Sequence, residues 1–182
     1  MNIFNLPQDI TGSQNHPNED VFIHHYNAPI GSFKGKSILH KNAVSLVISG
    51  TKTMHFANKT VTIRDGEFHF LSVGNCIVTM DLDKTKPFES VLIFFGNKAL
   101  ADFHFKYQNE IADIKKNNKI ETEPYIAFKK DGFVDNYIAF LKLLIQSGAE
   151  ISSQMQLVKF EELMLHLLEK HPLQQFLHLP VR

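Results

Sequence analysis

The 182 residues carry 19 basic and 19 acidic side chains, a formal net charge of zero and a pI near 7.2. That length suits one well-buried domain, and the charge balance argues against a surface that grips nucleic acid or an acidic membrane by itself. A single cysteine, Cys76 in the apolar run "NCIVTMDL", excludes an intrachain disulfide framework and a cysteine-cluster zinc site.

Residues 1–19 read as a polar N-terminal segment without the basic stretch and apolar core of a signal peptide. No run of about eighteen apolar residues follows, so the expectation is a cytoplasmic chain with no membrane contact. Residues 20–96 are punctuated at regular intervals by turn signals such as "NAP", "KGK", "SGTK", "RDG" and "VGN". Between them lie short β-branched and aromatic runs: "VFIHHY", "AVSLVIS", "TVTI", "FHFL", "SVLIFF". Such spacing predicts an all-β barrel or sandwich. In "KTVTIRDG" the alternation puts Val61 and Ile63 on one face and Thr60 and Thr62 on the other.

From Asn97 to Arg182 the period becomes helical. Asn97 suits an N-cap, with Leu100, Phe103 and Tyr107 on one stripe. After a polar stretch, "YIAF" reads as a short strand. "DGFVDNYIAFLKLLIQSG" then carries Val134, Tyr137, Ile138, Leu141, Leu144 and Ile145 at helical spacing, with Gly148 where a left-handed terminator belongs. A last helix over about Ser152–Lys170 presents Leu157, Phe160, Met164 and Leu168, widened by Val158, Leu163, Leu165 and Leu167. That arc is broader than one core contact needs. It serves either as core against the β half or, in part, as a contact with a second copy.

The chemistry-bearing residues are sparse. His24 and His25 are adjacent, so on a strand they face opposite ways, and His40, His55 and His69 show no paired spacing on a common face. His69 reads as a satisfied or solvent-facing residue of a half-buried strand. There is no nucleophile elbow, P-loop or dinucleotide glycine fingerprint. No residue is assigned a catalytic, cofactor or metal role.

The glycines Gly50, Gly66 and Gly74 are spaced like those of the two cupin motifs, and the β half resembles a cupin, a double-stranded β-helix barrel. The metal-ligand positions depart: Ser37, Leu39 and Ala43 stand at those of the first motif, Ser72 at the second motif's proline and Ile77 at its histidine. His40 lies close but out of register. A cupin-like barrel followed by an antiparallel pair of amphipathic helices resembles the N-terminal domain of AraC-type transcription regulators. The final helix "LVKFEELMLHLLEKHPLQQFL" is similar to that family's K-x-E-E-L-L-x-x-L-L pattern through Lys159, Glu161, Glu162, Leu163, Leu167 and Leu168.

The resemblance implies a non-enzymatic regulatory domain that takes a small-molecule effector or a regulatory protein and forms a homodimer through its helices. Leu157, Phe160, Glu161, Met164, Leu165 and Leu168 are the expected interface. DNA would be read only by a C-terminal helix-turn-helix module absent from these residues, whether by excision or because the protein ends early. Two alternatives are a stand-alone small-molecule-binding cupin and a metal-dependent cupin enzyme with ligands from His25, His40, His55 and His69. The sequence assigns no effector pocket, because a one-residue slip of register inverts every side chain of a strand.

Overall fold

The computed structural model describes residues 3–11, 20–30, 35–56, 59–73, 76–77, 79–82, 85–115, 125–148 and 150–170. In chain order its elements are β1 (Ile3–Leu6), α1 (Gln8–Thr11), β2 (Val21–Ala28), β3 (Lys36–Leu39), β4 (Asn42–Ser49), β5 (Thr51–His55), β6 (Thr60–Arg64), β7 (Glu67–Leu71), β8 (Cys76–Ile77), β9 (Thr79–Leu82) and β10 (Phe88–Phe95). There follow α2 (Asn97–Lys106), α3 (Gln108–Lys115), β11 (Tyr125–Lys129), α4 (Gly132–Gln146) and α5 (Ser153–Lys170).

A five-stranded sheet in the order β11-β7-β4-β10-β2 runs through the centre, every neighbour antiparallel. Both of its faces are covered. That is why β4 ("NAVSLVIS") and β10 ("FESVLIFF") are buried along nearly their whole length instead of alternating. Two smaller sheets, β6-β5-β9 and β1-β3-β8, complete the β part. Among the described residues the ladders fall into these three separate sheets, with no closed barrel among them. What stands is a mainly β fold with helices.

The central sheet separates two cores. On one face Val44, Leu46, Phe68, Phe70, Ile93 and Phe95 meet the helices through Leu100, Phe103, Tyr137, Leu141, Phe160 and Met164. The Phe160 ring lies 4.7 Å from that of Phe95 and 6.3 Å from that of Phe103. Each such buried ring contributes about 2–3 kcal/mol. On the other face Val47, Leu92, Phe94 and Phe88 meet Leu39, Met54, Ile63 and Leu82 of the small sheets. β6, with its outer face open, keeps the alternation read from sequence: Ile63 is buried while Thr60 and Thr62 are exposed.

Gly50 turns the chain from β4 into β5 at φ +82°, and a Cβ there would meet the Pro87 carbonyl oxygen at 2.8 Å. Only glycine fits both constraints. Gly66 adopts φ +88° in open space; Gly74 lies outside the described residues.

The helices are ended by local chemistry. Asp131 caps α4 by accepting from the Val134 amide at 3.0 Å, and Gly148, at φ +70°, closes it with its amide donating to the Ile145 carbonyl. Asn97 is the first helical residue of α2, and the N-cap is Gly96 with no side-chain bond. α4 and α5 run antiparallel: the Tyr137 hydroxyl donates to the Lys159 carbonyl, and Phe133 stacks on His166 at 4.0 Å.

Two stretches hold elements that were not expected. The polar segment holds β1 and α1, with β1 parallel to β3. The stretch after Tyr107 holds α3. β11, the short strand expected at "YIAF", joins the central sheet beside β7.

Candidate functional site

Inward-facing positions of β3, β4, β5 and β10, with β1 and α1 over them, line a partly open cavity of about 120 Å³. Leu6, Ile10, Leu39, Leu71, Leu92 and Phe94 make most of its wall apolar. The alternation of each strand decides what enters. On β3 Ser37 and Leu39 are buried, and on β5 the buried pair is Lys52 and Met54, with Thr51, Thr53 and His55 turned outward.

Lys52 is the unusual member. Its side chain is 5% exposed, and its ammonium lies 5.1 Å from the centroid of the Phe88 ring. Burial pulls its pKa down from the ordinary lysine value to about 8. No carboxylate of the described residues lies within ion-pairing distance of it. A buried cation over one aromatic face is only partly compensated.

Other polar groups lie in the same interior. Ser90 lines the cavity, and Ser45 and His69 are register partners on β4 and β7. The hydroxyls of Ser45 and Ser90 and both ring nitrogens of His69 have no hydrogen-bond partner among the described residues. His69 is fully buried, so the expectation of a satisfied or solvent-facing histidine is corrected. Burial, reinforced by the nearby Lys52 charge, holds its imidazole neutral by pushing its pKa well below the usual range. Unpaired buried polar groups cost about 1–3 kcal/mol each and are kept where something else uses them.

The remaining histidines are dispersed. His25 meets Glu89 at 2.8 Å, His40 meets Asn5 at 3.0 Å and His55 meets Thr60 at 3.0 Å. His24 faces the other way from His25 and stacks on Phe22. Among the described residues no three His, Cys, Asp or Glu side chains are grouped to hold a metal ion. Ser37, Leu39 and Ala43, the positions that match cupin ligands by sequence, all line the cavity. Ile77 pairs with Ser37 at the strand β8.

Of the expected interface residues, Phe160, Met164 and Leu168 are buried in the helix-side core instead of lying on the surface. Leu157 and Leu165 are partly buried against that core, and Glu161 accepts from the Lys106 ammonium at 2.6 Å. Apolar side chains that do face outward on this hairpin are Phe140 and Leu143 of α4 and Met155 and Val158 of α5. Sequence reasoning missed Lys52. The available signal was "GTKTMHF", where Lys52 shares a strand face with Met54.

Residues 42–179 match the family described as the ExsA N-terminal regulatory domain, a domain of AraC-type regulators. The chain belongs to that family. No curated protein matches it in sequence. In fold, this regulatory domain is similar to ToxT from Vibrio cholerae. An apo ToxT variant of strain SCE256 gives a TM-score of 0.60 at 11% identity, over 85% of this chain and 58% of that one. A second ToxT structure gives 0.57 at 11%, over 84% and 58%. ToxT of strain O395 bound to (E)-4-(8-methylnaphthalen-1-yl)but-3-enoic acid gives 0.57 at 12%, over 84% and 58%. The present chain therefore spans 58% of the length of these ToxT chains, and at such identity the likeness is one of fold.

Proposed function

We propose that this regulatory domain receives a small effector in the cavity behind β1 and α1 and passes its occupancy to a DNA-binding module outside the 182 residues. The observation that carries the reading is the roofed apolar cavity with Lys52 on its wall, without an ion-pair partner among the described residues. One ToxT structure holds a small organic molecule, and a small effector here is the corresponding reading. The three sheets read as a cupin-like sandwich whose cavity occupies the place of the metal centre, with Ser37, Leu39 and Ala43 where ligands would stand.

The domain acts as a homodimer in this reading, using the outward faces of α4 and α5. Phe140 with Leu143, and Met155 with Val158, form exposed apolar pairs three residues apart on the two helices. A second copy would remove them from water. Neither catalysis nor a cofactor enters this reading, and its setting is the cytoplasm. Among the described residues no helix is long and apolar enough to cross a membrane.

The decisive experiment joins the gene segment, with whatever coding sequence follows it, to a reporter under an AraC-type promoter. The expected result is reporter output that changes when the cavity is filled by Ala43→Leu and when the helix face is charged by Leu143→Asp. Output indifferent to both substitutions in a folded protein would refute the regulatory reading of cavity and helix face.

A further inference from the structure

Lysines elsewhere in the fold are held as ammonium ions by carboxylates: Lys98 by Asp102, Lys106 by Glu161, Lys142 by Glu89 and Lys159 by Glu162. Lys52 is placed differently. β5 sets it between Ile63 of β6 and Leu82 of β9, its register partners, and its nitrogen lies 5.1 Å from the centroid of the Phe88 ring. It lines the cavity together with the apolar Leu39, Leu71, Leu92 and Phe94. Asp9, the one carboxylate at that wall, is exposed on α1 and accepts from the Asn5 amide at 2.6 Å. Ser90 also lines the cavity, and its buried hydroxyl has no hydrogen-bond partner among the described residues. Desolvation brings Lys52 down to a pKa of about 8. At pH 7.5 about a quarter of it is then free amine, against about one part in a thousand for a lysine at 10.5.

We infer that Lys52 is a covalent capture site for a small apolar aldehyde, which enters the cavity and condenses with the amine to an imine. The inference rests on the effector reading above, that this cavity is a ligand site, and adds a reaction to it. The nitrogen lone pair forms a bond to the carbonyl carbon while the C=O π pair moves onto oxygen. One N–H proton passes to that oxygen, giving a carbinolamine, and the Ser90 hydroxyl on the same wall donates to the oxygen as its charge develops. The hydroxyl then leaves as water with the second nitrogen proton. Amine plus aldehyde gives imine plus water, and nothing is oxidised or reduced. Three features select this chemistry. A desolvated amine is the form of lysine that attacks a carbonyl carbon. The neutral imine removes the buried charge that the ammonium carries. The apolar wall receives an alkyl group, whereas a sugar aldehyde would leave its hydroxyls unpaired there. An apolar cavity of roughly 150 Å³ holds one benzene molecule, so a volume of about 120 Å³ takes about five non-hydrogen atoms, the size of butanal.

The test is reductive trapping of the purified 182-residue chain with butanal and sodium cyanoborohydride at pH 7.5, read by intact mass and peptide mapping. Lys52 should take one butyl group at least about tenfold faster than Lys98 or Lys106, and Lys52→Met should remove that fast phase. Should that variant fail to fold, Ala43→Val, which narrows the cavity and keeps the lysine, should slow the labelling of Lys52 by at least about tenfold while Lys98 and Lys106 react as before. Without reductant, butanal at about 10 mM should raise Tm beyond the shift given by butanol, and the excess should vanish in Lys52→Met. Labelling of Lys52 no faster than that of Lys98, or unaffected by Ala43→Val, would overturn imine capture at the cavity. Butanol or benzene still raising Tm in that case would leave the effector cavity standing, so that the covalent step alone falls. No preference for Lys52 and no shift from any compound would overturn both readings.

Discussion

Gln156 of α5 reaches across the helix-side core and accepts a hydrogen bond from the Ile23 amide of β2 at 2.7 Å. Its other end donates to the Ile151 carbonyl at 3.0 Å. β2 is an edge strand of the central sheet, so this bond satisfies an edge donor that would otherwise be buried unpaired. It also ties the last helix to the sheet. Gln156→Leu keeps the volume and strands the Ile23 amide. The expected loss is about 1–3 kcal/mol of unfolding free energy, measured by urea denaturation. An unchanged midpoint would show that water replaces the bond.

Lys52 gives the protein a distinctive alkaline profile. Its folded pKa of about 8 lies below the lysine value of 10.5. Between those values the unfolded chain binds the extra proton, so stability rises with pH. The gain is on the order of 3 kcal/mol across the full interval. Above about pH 10, Tyr125 and Tyr137, both pushed upward chiefly by burial, reverse the slope, because only the unfolded chain then ionises its tyrosines. Denaturation midpoints for the parent should climb from pH 7.5 to 9.5, while those of Lys52→Met start higher and stay level. A parallel climb in both proteins would assign the slope to another group.

Gly50 and Gly66 separate two demands on glycine. Both have positive φ, but only Gly50 has a backbone atom in the place of a Cβ. Gly66→Ala should cost about 1 kcal/mol, the conformational term alone. Gly50→Ala should cost about 2–4 kcal/mol, because the Pro87 carbonyl must also move. Equal losses in differential scanning calorimetry would show that the β4–β5 corner yields without resistance.

Leu143 and Met164 distinguish surface from core on the helix pair. Leu143 is 66% exposed and Met164 fully buried. Leu143→Asp should leave Tm within about 2 °C of the parent and weaken self-association at least tenfold by sedimentation. Met164→Asp buries an unpaired charge and should cost more than about 4 kcal/mol. A parent protein that sediments as a monomer at tens of micromolar would end the dimer reading.

Much of this architecture could be read from local chemistry. "TVTI" alternates because one face of β6 meets water, and Gly148 ends α4 because an αL residue belongs there. Family membership was legible in the same way, since the spacing of "KFEELMLHLL" is a property of the chain alone. His69 was misread because its strand was taken as half-buried. β7 is in fact covered by helices on one face and small sheets on the other, and no local pattern reports that.

The sequence by itself determined the strand and helix periods, the turns that only glycine allows, and the family. Tertiary structure decided which apolar residues of α5 are core and which are surface: Phe160 and Met164 meet the central sheet, while Val158 does not. It also decided that Lys52 points inward. A lysine on a five-residue strand has no preferred face until its neighbours are placed. The register of β5 between β6 and β9, with β1 and α1 over the cavity, puts that charge on the cavity wall.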